Sequence, residues 1–221
     1  MNNYQKVLTI IFTLVSGCYT DQTVAEQEFN RIVIYQQFEN ADFSFRITDK
    51  QAAEFLIWTN GRIRQRYQGK LDSQKIKGIE EKLIDLSPLY SESVQSNNTE
   101  MLIDRYDEFI ILHNNTQSKG NRHLADKNLI DFLDYIKKSG TELPVVKTTG
   151  HYIFAYEITP LEALDDVQIA LCPAAITKAV NFPYSPIIME NCQNLSSFLN
   201  QGDINVKQKG KYFRIIHFLG D

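Results

Sequence analysis

The sequence is poor in the residues that build metal sites and disulfide frameworks, with 3 cysteines and 4 histidines among 221 residues. A zinc cluster or a disulfide scaffold needs several such residues at short, regular spacing. None of the histidines has the i, i+4 spacing with a glutamate that marks a zinc protease, since they stand far apart at His113, His123, His151 and His217. We therefore expect no metal site and no cofactor.

The chain also lacks an excess of basic residues, because 23 lysines and arginines stand against 27 acidic residues. Nucleic-acid binding needs clustered positive charge against the phosphates, so we expect no nucleic-acid partner. Neither a Gly-x-Ser-x-Gly elbow nor a glycine-rich phosphate loop is present. The acidic clusters at 104–108 and 165–166 offer the paired carboxylates of a glycosidase, but short acidic clusters are typical of turns and helix starts. We predict no catalytic residues.

Long apolar runs are absent after the first residues, so the start of the chain stands out. Lys6 supplies an early positive charge, an apolar run follows over 7–15, and the small residues Ser16 and Gly17 lead into Cys18. This order is typical of a secretory signal peptide, and the run is too short to span a bilayer. We predict a leader over residues 1–17.

The stretch Leu14-Val15-Ser16-Gly17-Cys18 resembles the lipobox of bacterial lipoproteins. The resemblance implies cleavage before Cys18, a lipid on its thiol and an acylated new amino terminus. Several acyl chains anchor a protein firmly, whereas one alone is marginal. Tyr19, and not an aspartate, follows the cysteine, which favours the outer membrane with the protein facing the periplasm. A buried amino-terminal helix with a core cysteine is the alternative.

The rest of the chain divides by composition. We expect four regions after the leader: a lipidated cysteine with a flexible tether over residues 18–29, an α+β domain over 30–140, a linker over 141–150, and a second α+β subdomain over 151–221. Removing the leader takes away Lys6 and no acidic residue, so the formal net charge moves from −4 to −5. The mature part is therefore a mildly acidic protein.

With Cys18 lipidated, Cys172 and Cys192 remain as an even pair in an oxidising compartment, which predicts a disulfide. The bridge would close a loop of about 20 residues and stabilise the fold by roughly 3 kcal/mol. Three prolines lie in this loop, so we expect little regular structure there. Two buried thiols, or one reactive cysteine, are the alternatives.

Apolar periodicity predicts both strands and helices. Strands are expected over 31–36, 43–47, 101–103, 109–112 and 152–158, a final hairpin over 203–207 and 212–218, and helices over 73–86, over 123–138 and from Thr159. Pro88 is expected to end the first helix. We interpret the pattern as an α+β fold of antiparallel hairpins, with helices packed on one face in two layers.

A hairpin is predicted between residues 54–59 and 62–67, because Asn60-Gly61 suits the positive φ angles of a type I′ turn. Regular pairing places three arginines on one face with two apolar residues: Arg62, Arg64, Arg66, Phe55 and Ile57. The other face, with Leu56, Trp58, Ile63 and Tyr67, is the expected core face.

The arginine face predicts a binding surface. Guanidinium groups over apolar side chains are enriched in protein interfaces and suit an acidic protein partner. The alternative is that the arginine stems only cover the outer surface of the sheet.

These features predict a lipid-anchored envelope protein that acts by protein–protein interaction and not by catalysis. One specific form is an immunity or inhibitor lipoprotein that neutralises a toxic effector. A structural or assembly lipoprotein of the outer membrane is the alternative, and an envelope hydrolase is less favoured.

Overall fold

The computed structural model describes residues 30–37, 41–93, 108–113, 116–121, 125–158, 172–190, 192, 195–200, 202, 204–208 and 210–221. The predicted leader, the lipidated Cys18 and the tether lie outside these residues. So do the predicted strand 101–103, the helix start at Thr159, and the acidic residues 104, 107, 165 and 166. Those predictions stay predictions.

Ten strands form one sheet, and most of them have alternating or largely apolar sequences. They are β1 (Asn30–Gln36), β2 (Asp42–Thr48), β3 (Ala52–Thr59), β4 (Arg62–Lys70), β5 (Glu108–His113), β6 (Thr116–Asn121), β7 (Gly150–Ile158), β8 (Ile187–Ile188), β9 (Ile204–Gln208) and β10 (Lys211–Gly220). The order is β6-β5-β1-β2-β3-β4-β10-β7-β8, and β9 pairs with β10. The β4–β10 pair is parallel and joins the two antiparallel parts of the sheet.

The helices are α1 (Ser73–Ser93), α2 (Lys127–Thr141), α3 (Pro173–Asn181) and α4 (Leu195–Leu199). The predicted apolar stripe of α1 is buried: Ile76, Ile79, Leu83 and Leu86. The predicted end at Pro88 is wrong, because α1 continues to Ser93. A proline removes one main-chain hydrogen bond and can kink a helix without ending it.

Helix α2 begins at Lys127, four residues later than the sequence predicts, because Asp126 is its N-cap. The Asp126 carboxylate accepts a hydrogen bond from the main-chain N–H of Leu129 at 2.9 Å. Near the other end of the helix, Gly140 lies against Phe55, and a Cβ at this position would overlap the Phe55 ring. The absent side chain therefore lets α2 pack closely on β3.

Three apolar cores hold these elements together. The first packs α1 and α2 on strands β1, β2, β3 and β5, and the second packs α3 and α4 on β7, β9 and β10. The third lies between the two parts of the sheet, where Tyr35 of β1 contacts Phe154 of β7 with ring centroids 5.4 Å apart. Since β1 and β7 are five places apart in the strand order, the sheet curls until its two parts face each other.

The predicted two-layer arrangement, with helices on one face, is wrong. A ten-stranded mixed sheet dominates the fold, and its few helices lie on both outer sides. The physical reason is visible in β3, where Phe55 belongs to the first core while Leu56 and Trp58 belong to the third. This strand is covered on both faces, which a helix layer on one face does not provide.

The predicted linker pairs with β4. The main-chain N–H of Val146 donates to the carbonyl of Arg66, and that of Gln68 donates to the carbonyl of Pro144, both at 2.9 Å. The pairing of β10 with β4 likewise carries one sheet through both predicted subdomains. The cysteine loop also has more regular structure than expected, since it contains α3 and β8. Cys172 and Cys192 lie at disulfide distance, with Cα atoms 5.0 Å apart.

Candidate functional site

The predicted hairpin turn is confirmed. Asn60 and Gly61 have φ angles of 50° and 70°, as a type I′ turn requires. Thr59 lies opposite Arg62, and Trp58 lies opposite Ile63, as regular pairing predicts. Close to the turn, the sequence therefore gives both the conformation and the register.

Further from the turn, a β-bulge shifts the register between Ile57 and Trp58. Gln65 now lies opposite Ile57, Arg66 opposite Leu56, and Tyr67 opposite Phe55. Because a bulge sets two residues against one, every later side chain of β4 moves to the other face. The prediction that Arg66 shares a face with Phe55 is wrong.

The two apolar members of the predicted surface face the first core. Phe55 is fully buried. Its ring packs against Gly140 and against the Tyr67 ring, whose centroid lies 5.9 Å from that of Phe55. Ile57 is half-buried and packs on the same core. The arginines consequently do not stand over an open surface made by Phe55 and Ile57.

Arg66 is held in a charge network at the edge of the third core. Its Nε donates to the Glu54 carboxylate at 2.8 Å, and Arg46 donates to the other oxygen of that carboxylate at 2.7 Å. The Glu54 side chain is only 8% exposed, and each arginine is 16% exposed. Two half-buried guanidinium groups thus share one buried carboxylate.

Two rings border this network. The Arg46 guanidinium lies 5.3 Å from the centre of the Phe182 ring, a cation–π contact that extends from β2 to the residue after α3. Burial raises the pKa of the Tyr152 hydroxyl, against the opposing effect of the nearby Arg66 charge. The network therefore joins the two parts of the sheet.

Arg62 and Arg64 meet a different carboxylate. The Asp221 side chain lies 2.7 Å from Arg64 and 3.6 Å from Arg62, and these arginines lower the pKa of that carboxyl. Hydrogen bonds hold the main chain of Asp221: its N–H donates to Ile63 and its carbonyl accepts from the Thr148 hydroxyl at 2.7 Å. All three charged side chains are at least 38% exposed.

A groove of about 570 Å³ lies beside this ion pair. Its walls are residues 64–67 of β4, residues 145–149 and Asp221. The crossing of these segments depends on Gly220, because a Cβ there would overlap the Thr148 carbonyl. Residues 145–149 of the predicted linker and the end of β10 can therefore both run along β4.

The groove is rich in positive charge. Arg64, Arg66 and Lys147 line it, and Lys147 makes no ion pair within the described part of the chain. Val145, on the same wall, is 75% exposed, an unusual value for a large apolar residue. The groove thus combines an available cation with an exposed apolar side chain.

Sequence reasoning missed Glu54, Lys147 and Asp221. Glu54 could have been found, since it is a lone carboxylate in an apolar strand (AAEFLIWT) with arginines on both neighbouring strands. Lys147 and Asp221 reach β4 only through long-range pairing, which leaves no local signal in the sequence.

A pair of histidines lies elsewhere on the sheet. His151 of β7 and His217 of β10 form a hydrogen bond between ring nitrogens at 2.9 Å. Burial, and then the charge of His151, lower the pKa of His217. Within the residues that the structure describes, no three His, Cys, Asp or Glu side chains converge as metal ligands, and no helix is long and apolar enough to cross a membrane.

Comparison with known proteins found no relatives: no family model matches the chain, and no curated protein or solved structure matches it either.

Proposed function

We propose that this chain is a lipid-anchored envelope protein that binds an acidic surface of another protein through the β4 groove. The observation that carries the proposal is the groove itself, where the exposed Val145 lies beside Arg64 and beside Lys147, which makes no ion pair with any residue that the structure describes. Cationic and apolar side chains side by side suit a protein interface, and the charges favour a partner that supplies carboxylates.

The predicted lipobox gives the proposal its location. A protein held at the periplasmic face of the outer membrane meets other envelope proteins or effectors that enter the periplasm. An immunity or inhibitor lipoprotein, which masks a toxic effector by binding it, is the specific form we favour. Binding needs no catalytic group, so an inhibitor of this kind requires only a surface that fits its target.

The proposed contacts differ from the sequence prediction in their members. Arg62 and Arg64 remain, Lys147 and Val145 join them, and Phe55 and Ile57 leave because they face the core. Arg66 lines the groove, but its guanidinium is already bound by the buried Glu54. The partner should therefore depend on the first four residues.

Site-specific photo-crosslinking tests the proposal in living cells. A photoreactive phenylalanine replaces Val145 in the full chain, and the matched control carries it at Ile84, which is 61% exposed on α1. We expect a specific crosslinked protein from position 145 and none from position 84. Equal capture from both positions would contradict a docking role for the groove.

Charge reversal then tests how the captured partner binds. Lys147→Glu should weaken binding by about tenfold and reduce its dependence on salt. Lys127→Glu is the control, because it makes the same charge change at the exposed start of α2, about 20 Å along that helix from its end near the groove. Recognition by this groove would be ruled out if Lys147→Glu left the partner's affinity unchanged, or if Lys147→Glu and Lys127→Glu weakened binding equally.

A further inference from the structure

The arginines of the proposed interface are already occupied by a carboxylate of the same chain. Asp221 lies between Arg62 and Arg64 and is also part of the groove wall. Its position does not depend on those arginines alone, because its main-chain N–H and carbonyl are bound by Ile63 and Thr148. The backbone thus presents this carboxylate to the arginines.

The contact is suited to exchange. Arg62, Arg64 and Asp221 have side chains that are 53%, 44% and 38% exposed, so water reaches every charge in the group. Exposed ion pairs add little stability, because solvent screens them and the side chains lose freedom. Another carboxylate can therefore replace Asp221 at little cost to the fold.

The neighbouring Arg66 behaves differently. Its carboxylate partner, Glu54, is 8% exposed and is shared with Arg46, so removal of the Glu54 charge would leave two half-buried guanidinium groups without this carboxylate. Exchange is therefore confined to the outer pair of arginines.

We propose that Asp221 is an internal competitor, which occupies Arg62 and Arg64 until a carboxylate of the protein partner displaces it. This inference rests on the proposed function and adds to it the chemistry of the contact. The partner must present an aspartate or glutamate beside an apolar patch that covers Val145. Competition also sets selectivity, because weakly acidic surfaces do not displace a carboxylate held in place by the backbone.

Asp221→Asn tests the competitor, because it removes the charge and keeps the shape. The probe is a fluorescein-labelled oligoglutamate peptide, with oligoglutamine of the same length as its control, titrated against the full mature chain. We expect Asp221→Asn to bind oligoglutamate about three- to tenfold more tightly than the wild type, since the fraction of free arginine rises. Arg64→Gln should abolish the gain when combined with it.

A matched variant separates local competition from net charge. Asp131→Asn makes the same charge change on the exposed face of α2 and should leave the affinity unchanged. The competitor role would be overturned if wild type and Asp221→Asn bound oligoglutamate with equal affinity, or if Asp131→Asn gained as much affinity as Asp221→Asn. Neither result would contradict binding by the groove itself. No oligoglutamate binding by any variant, together with no crosslink from position 145, would overturn the proposed function as well.

Discussion

Two arginines of β4, two residues apart, make ion pairs of nearly the same length in opposite surroundings. Arg64 lies 2.7 Å from Asp221 and Arg66 lies 2.8 Å from Glu54. The side chains of the first pair are 44% and 38% exposed, whereas those of the second are 16% and 8% exposed. Distance alone would give both pairs the same role. Burial makes the inner pair part of the fold and leaves the outer pair free to exchange.

The largest expected effect comes from breaking the inner pair. Glu54→Gln removes the buried carboxylate that the half-buried Arg46 and Arg66 share, which should lower the free energy of unfolding by about 3–5 kcal/mol. Urea denaturation followed by circular dichroism measures it. Asp221→Asn, the same chemical change at the outer pair, should lower the denaturation midpoint only slightly at neutral pH, because an exposed ion pair adds little stability. Equal losses in the two variants would show that burial does not separate the pairs.

A second prediction concerns the core face of the hairpin, where Phe55 packs against Gly140. Gly140→Ala drives a methyl group into the Phe55 ring and should cost about 1–3 kcal/mol in the free energy of unfolding. Gly78→Ala in α1 is the control, because a Cβ there meets nothing within 4 Å and should stabilise the helix by about 0.5–1 kcal/mol. A neutral Gly140→Ala would mean that Phe55 is not packed as described and could face a partner after all.

The smallest effect is a dependence of stability on pH. The fold lowers the pKa of His217, so below about pH 6.5 the unfolded chain binds a proton that the folded chain does not. The free energy of unfolding should therefore decrease as the pH is lowered below about 6.5. The pKa of Asp221 is also lowered, so its pair with Arg64 persists in mild acid and is lost only as pH falls below the ordinary value of 3.8. Denaturation midpoints at a series of pH values would show both.

Single variants show which residue causes each of the two declines in stability, the one below about pH 6.5 and the one below about pH 3.8. His217→Gln should flatten the first decline and leave the second, while Asp221→Asn should do the reverse. If Asp221→Asn instead removed the decline near 6.5, the outer ion pair would be coupled to the histidines and would not be the isolated, exchangeable contact proposed above.

The features that the sequence predicts are those with a short period or a local motif. Asn60-Gly61 indicates its turn because few other residues accept positive φ, and the stripe from Ile76 to Leu86 indicates the buried face of α1. Each signal lies within one element, so no knowledge of distant residues is needed.

The candidate site depends on contacts that have no local signal. The bulge after Ile57 moves Arg66 to the other face, although nothing in the sequence RIRQRY distinguishes it from a regular strand. The parallel pairing of β10 with β4 brings Asp221 to Arg64 across 157 positions. Of the predicted arginine surface, the residues nearest the turn therefore keep their place, and the others do not.

The place of β10 in the sheet has a consequence for how the molecule forms. It is the last of the ten strands in chain order, yet it lies between β4 and β7. Until it docks, β4 and β7 both present open edges, and Phe218 cannot help to exclude water from the aromatic cluster around Trp58. The pairing of β4 with β10 closes a loop that runs from Lys70 to Lys211, and this closure has an entropic cost. The docking of this final strand should therefore limit the rate of folding.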